Sequence, residues 1–288
     1  MQITSNLSLC RPLQLPEVFI FSSQFEQLAK REDWGMIVRL GKEALSVALD
    51  KDKARISAIL ASNAFYLGEY FEVKNYAYEC ITAADQCNDH ILYVRGLYLC
   101  SAAERALGAD IKEKENQRNH FQEAINLTHE ALKLYDSFNL NEEALKGKIY
   151  FNLGAAHADD PEGDLLKALD SYKKAKLSFE NTLEKKQFSK HADDSVIRND
   201  IVRTTIRIGT VQLHLEQWDE LKELIAGQRK ITHPLRTEMH LDYLEAKFLK
   251  AQKRFEEAKT VIFNGKEKAL KLNAKKDLTR FELLFESL

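Results

Sequence analysis

Residues 153–175 read LGAAHADDPEGDLLKALDSYKKA, and this stretch decides the architecture. Leu153-Gly154 opens a run of small residues and a polar turn follows, with Gly163 near its end. Leu165, Ala168, Tyr172 and Ala175 then recur at the three- and four-residue spacing of one helix face. Small residues let two antiparallel helices approach closely, and an aromatic beside the turn fills the wedge where they diverge. The phrase therefore predicts a helix hairpin. Five further copies are legible: Trp34 with Ile37, Gly41 and Ala44; Gly68-Glu69-Tyr70 with Val73, Ala77 and Cys80; Phe121 with Ala124, Thr128 and Ala131; Trp218 with Leu221 and Ile225; and Phe255 with Ala258 and Ile262.

Composition agrees with a helical reading. The chain has 288 residues, 44% of them hydrophobic, enough to bury a sizeable core. It holds 11 Gly and 4 Pro, well under the roughly 12% of ordinary usage. An all-β fold, which reverses direction every ten residues or so, needs more of both. The 42 basic residues against 44 acidic ones give a net charge of -2, so no global field draws the chain to nucleic acid or an anionic membrane. The lysines from Lys247 to Lys276 are interleaved with Glu256, Glu257 and Glu267, which reads as a solvated face carrying charge pairs.

The repeated phrase resembles the tetratricopeptide repeat family, in which Leu-Gly lies in the first helix, Gly and an aromatic flank the turn, and Ala, an aromatic and Ala follow in the second. Leu153-Gly154 with Gly163, Ala168, Tyr172 and Ala175 matches nearly throughout. Ile208-Gly209 with Trp218, and Ala246 with Phe255 and Ala258, match well. The family's Pro at the end of the second helix is absent from every copy, and the turn positions Tyr70 and Phe121 lie 51 apart, Leu165 and Trp218 53 apart. The usual repeat is about thirty-four residues, so the chain resembles the long-repeat variants of bacterial regulatory proteins. The resemblance implies an all-α, right-handed superhelix of antiparallel helix pairs. We expect residues 1–17 to be extended and 18–288 to form a single solenoid of about six pairs, closed by an amphipathic capping helix with Phe281, Leu284 and Phe285.

Two insertions explain the long spacings. Residues 111–120 carry no apolar stripe and are expected to extend a helix or form a loop. Residues 181–194 carry Lys185-Lys186 and Lys190, with Asp194 or Ser195 expected as the next N-cap. Cys10, Cys80, Cys87 and Cys100 lack the dense, even spacing of a disulfide framework, so a reducing compartment is expected: the cytoplasm, or a host cytosol if the chain is exported without a cleaved signal. No 18-residue apolar run and no signal-peptide pattern occurs.

Catalytic and metal readings weaken on inspection. His157-Ala-Asp-Asp160 and His191-Ala-Asp-Asp194 are identical but fall in different registers of the repeat, so they do not face each other as metal half-sites. No G-x-S-x-G, phosphate loop, H-E-x-x-H or G-x-G-x-x-G is present. We expect no catalytic residue and no cofactor; an enzyme with an unrecognised site is the alternative from another class.

In the family, the second, fifth, ninth, twelfth and thirteenth positions of each first helix line a concave groove. Carried over by register, the second position holds Arg55, Arg95, Lys148, Arg203 and His240. The fifth holds Tyr98, Phe151, Ile206 and Tyr243, with Ala58 in the earliest of these repeats. A basic row beside an apolar and aromatic one suits an extended protein segment carrying carboxylates and bulky apolar side chains. The resemblance thus implies a protein–protein interaction module that binds a peptide segment of a partner, with no nucleic acid or membrane. A peptide-sensing regulator, or a secretion chaperone or effector of the same fold, is the nearest alternative. The competing reading of the basic row is that each cation pairs with a neighbouring carboxylate such as Glu104 or Asp242.

Overall fold

The computed structural model describes residues 27–28, 33–111, 113–185 and 194–288. Among them are twelve α-helices and no strand. They run α1 Trp34–Leu45, α2 Asp50–Leu67, α3 Tyr70–Gln86, α4 His90–Asp110, α5 Lys114–Ser137, α6 Glu143–Asp159, α7 Leu165–Glu184, α8 Asp194–His214, α9 Trp218–Gln228, α10 Leu235–Ala251, α11 Phe255–Lys271 and α12 Lys275–Glu286. The chain forms two compact units, Met1–Asn141 and Glu142–Leu288. Residues 1–17, expected to be extended, lie outside the described residues, as does His191.

Within each unit, every helix packs on its neighbour in sequence, and the first helices of successive pairs also touch: α2 with α4 in one unit, α6 with α8 and α8 with α10 in the other. The repeated phrase supplies the contacts. Trp34, Tyr70, Trp218 and Phe255 each open a second helix. Behind them Ile37 and Ala44, Val73, Ala77 and Cys80, Ala168, Tyr172 and Ala175, Leu221 and Ile225, and Ala258 and Ile262 are all buried. Phe121 departs from this pattern, since it lies two turns inside α5. Residues 114–120, the body of the first insertion, are the opening turns of that helix. The extension is docked: the Gln117 amide donates to the carbonyls of Gly108 (3.2 Å) and Ile111 (3.4 Å).

Turns between helices require left-handed backbone, and the sequence meets that need unevenly. Gly68 adopts φ 78 after α2, whereas Glu216 and Lys253 occupy the corresponding turns at φ 56 and 59. Asn88, Asn139 and Asn273 serve the turns after α3, α5 and α11, where a short polar side chain tolerates this conformation. Helix α8 begins at Asp194, so Asp194 and Ser195 lie in its first turn and not at the cap position expected for one of them. A carboxylate there still favours the positive helix end.

The terminal helix seals the second unit with two of its three expected residues. Phe281 and Leu284 are buried among Met239, Ala246, Ile262 and Ala269. Phe285 is 37% exposed and leans on Phe263 with ring centroids 5.5 Å apart. Cys80 and Cys100 are fully buried, and burial pushes both thiols up to about 12; Cys87 ends α3, partly buried. They act as small core residues.

The close approach of α6 and α7 tests the register. A Cβ on Gly154 would sit 2.9 Å from the ring of Tyr172, whose side chain is fully buried and has no room to retreat. Gly154→Leu is expected to lower stability by about 1 to 3 kcal/mol through overpacking, read as a shifted denaturant midpoint with unchanged slope; an unshifted midpoint contradicts this packing.

Candidate functional site

Two buried carboxylates stand on first helices, and both are neutralised from the second-helix side. Glu104 on α4 is 4% exposed. It accepts a hydrogen bond from Lys74 of α3, which is the main cause holding the Lys74 ammonium above its ordinary pKa, and it lies 2.6 Å from the Nδ1 of His120 on α5. Asp242 on α10 is 2% exposed. It accepts from Arg229, just after α9, and from Lys268 of α11, each at 2.6 Å. Burial alone would lower the Arg229 guanidinium, but its hydrogen bonds to Asp242 and Glu245 outweigh that and its pKa stands raised. Neither carboxylate takes a member of the basic row. The pairing that would have explained that row as internal charge balance is made by other cations.

In the second unit one member of the row stands over an aromatic ring. The guanidinium of Arg203 on α8 lies 5.8 Å over the ring of Phe151 on α6. Phe151 in turn meets Tyr172 edge-on at 5.5 Å. The nearest carboxylate to Arg203 is Asp200 of its own helix at 3.7 Å, a long contact between a half-exposed guanidinium and a largely buried carboxylate. Lys148 on α6 is half-buried and has no carboxylate within 4.0 Å among the described residues. Tyr243 on α10 packs edge-on against Phe281 and carries two cations over its ring, Lys247 at 5.9 Å and Arg280 at 5.8 Å. Arg207 on α8 donates to Asp159 at 3.2 Å.

His240 shares the electrostatics of this cluster. Desolvation on the inner side of its ring pushes the imidazole down, to about 4; Arg203, Arg207 and Arg236 act in the same direction and Asp277 opposes them. These neighbours act on the ring although the residue as a whole is exposed. Ile206 is placed differently from its neighbours in the row. It is 8% exposed, in a core with Leu221, Leu241, Leu244 and Phe248, so its side chain supports the surface from beneath.

In the first unit Arg55 on α2 and Arg95 on α4 are half-buried, with no carboxylate within 4.0 Å among the described residues. Arg95 lies close enough to Cys80 to act on its thiol. Tyr98 is half-buried with interactions of its own, and Ala58 is buried. A cation–aromatic pair that sequence reasoning missed also occurs here, Arg105 of α4 over Phe65 of α2 at 5.9 Å. Both occupy the twelfth position of their first helices, so the register that gave the basic row also reached them. Lys247, at the ninth position, was reachable the same way; Arg280 was not, because α12 was read only as a cap.

Among the described residues no helix is long and apolar enough to cross a membrane, and no group of three or more His, Cys, Asp or Glu side chains is placed to hold a metal ion. No protein-family model matches the chain, and no curated protein sequence does. Among solved structures the chain is similar to a Rap protein complexed with competence and sporulation factor, with a TM-score of 0.59 and 14% identity over 95% of this chain and 74% of that one. It is also similar to the apo form of RapI, with a TM-score of 0.54 and 13% identity over 94% of this chain and 97% of that one. At such identities the likeness is one of fold. The chain has the helical-repeat fold of these proteins.

Because the folded pKa of His240 lies below its ordinary value of 6.5, its contribution to stability is present above pH 6.5 and is lost as pH falls towards 4. His240→Gln is therefore expected to lose less stability than the wild type between pH 6.5 and 4.5 in denaturant titrations. Identical losses in the two proteins contradict the placement of this ring.

Proposed function

We propose that the chain is a non-catalytic interaction module that holds an extended, acidic segment of a partner protein on the surface made by its first helices. The observation that carries this reading is the state of the cations on these helices, one of them in the basic row and two beside it. Glu104 and Asp242 are satisfied by Lys74, His120, Arg229 and Lys268, while Arg203, Lys247 and Arg280 lie over aromatic rings. Cations held beside aromatic faces recognise carboxylates together with apolar side chains. Recognition by a preformed surface on rigid helices limits the ordering cost of binding. On this reading Arg55 and Arg95 in one unit, and Lys148, Phe151, Arg203, His240 and Tyr243 in the other, contact the partner. Ile206 fixes the helix behind them.

The same reading takes the chain as a long-repeat member of the tetratricopeptide family, working in a reducing compartment. A second reading, favoured by the likeness to a Rap protein complexed with competence and sporulation factor, is a regulator that senses a short signalling peptide. Both use the same surface and differ in whether the ligand is free or part of a larger protein.

Selection from a random peptide library tests the proposal. Enriched sequences are expected to combine Asp or Glu with aromatic or large aliphatic residues. Lys148→Glu with Arg203→Glu is expected to weaken their binding by about tenfold or more, the scale of a lost charge-assisted contact, with an unchanged circular dichroism spectrum. Binders without acidic residues, or binding unaltered in the double variant, contradict it.

A further inference from the structure

Around Tyr243 the second unit gathers positive charge that its own carboxylates leave uncompensated. Lys247 and Arg280, from α10 and α12, lie over one ring at 5.9 and 5.8 Å. Lys250 stands one turn beyond Lys247, its ammonium donating to the Ser287 hydroxyl at 2.7 Å. Neither lysine has a carboxylate within 4.0 Å among the described residues; Arg280 has Asp277 of its own helix at 3.5 Å. Three cations against one carboxylate leave two positive charges in excess. Burial, together with Arg280 and Lys250, holds the Lys247 ammonium below its ordinary pKa. Burial and Lys247 likewise push down the imidazole of His214, at the end of α8.

Charges of one sign converging from separate helices repel one another, and among the described residues Asp277 is the one carboxylate within 4.0 Å of them. We propose that Lys247 and Arg280, over the ring of Tyr243, together with Lys250 one turn along α10, form a subsite for a doubly charged oxyanion of the phosphoryl type. The excess of two charges decides the class. A single carboxylate neutralises half of it, whereas a phosphoryl group carries about -1.5 to -2 at neutral pH and offers three acceptor oxygens. Arg280 supplies planar donors to two of them and the lysines act as point charges. Tyr243 forms an apolar wall from which water is partly excluded, which strengthens the attraction. The terminal helix is then part of the recognition surface as well as a cap. The inference rests on the binding surface proposed above and assigns the chemistry of one end of it.

Inorganic phosphate is the first probe, titrated at constant ionic strength against chloride and followed by thermal stability and by the NMR signals of lysine side chains. Saturable stabilisation is expected, with a rise in the Lys247 pKa because a bound anion favours the ammonium. Lys247→Met with Arg280→Met is expected to weaken phosphate binding by about tenfold or more, while Lys247→Arg retains it and shows that the fold is intact. A phosphoserine peptide and its serine twin separate the sources. Preference for the phosphopeptide assigns the anion to a modified protein, and an effect of free phosphate alone assigns it to a small molecule. Phosphate acting no differently from chloride, or equally on the double methionine variant, overturns the subsite. Acidic peptides that still bind in that event leave the peptide reading standing, so the two failures are distinguishable.

Discussion

The close approach of paired helices at small residues is the constraint from which the rest follows. Gly154 against Tyr172 and Gly147 against Phe179 each leave no room for a Cβ without displacing a packed side chain. A glycine in a helix interior lowers helix stability by about 1 kcal/mol relative to alanine, so its repeated use there reflects packing. Once the helices of a pair are locked together, each can bury its remaining apolar face only on the next pair. The first helices are thereby aligned as neighbours within each unit, and residues one repeat apart come to stand side by side.

That alignment explains the electrostatics. A carboxylate turned towards the second helices, such as Glu104 or Asp242, enters a low-dielectric layer where an unpaired charge is severely destabilising, and cations from the second helices meet it there. Side chains turned the other way share an open surface. In the second unit Arg203, Lys247 and Arg280 lie over aromatic rings on α6 and α10, and the carboxylates beside the two arginines are Asp200 and Asp277 of their own helices. His240 responds by staying neutral and Lys247 by a lowered pKa. Both shifts come first from desolvation, with nearby like charge adding to it.

Much of this was legible in the sequence because helix packing is written locally. The spacing of Ala168, Tyr172 and Ala175, or of Val73, Ala77 and Cys80, follows from 3.6 residues per turn and needs no knowledge of distant parts of the chain. The basic row was legible through register alone. Features that depended on side-chain direction were not. Ile206 occupies a groove position by count yet points into the core, and Phe285 occupies a cap position yet leans outward on Phe263. The partners of Glu104 and Asp242 come from elements 13 to 30 residues away, and nothing in the local pattern selects Lys74 and Lys268 over Arg95 and His240. The role of α12 was obscured for the same reason, since Arg280 meets Tyr243 only after two helices have stacked.

The central claim is that the first helices of the second unit form the recognition surface while the buried carboxylate of Asp242 belongs to the scaffold. Chemical-shift perturbation by a selected acidic peptide, on isotopically labelled protein, tests it most directly. The account predicts that perturbed resonances cluster at Lys148, Phe151, Arg203, His240 and Tyr243, with the side chains of Asp242 and Lys268 unmoved. Perturbations concentrated on the exposed faces of α7, α9 and α11, at residues such as Leu177, Lys222 and Phe263, would contradict it and place recognition on the opposite side of the helix pairs.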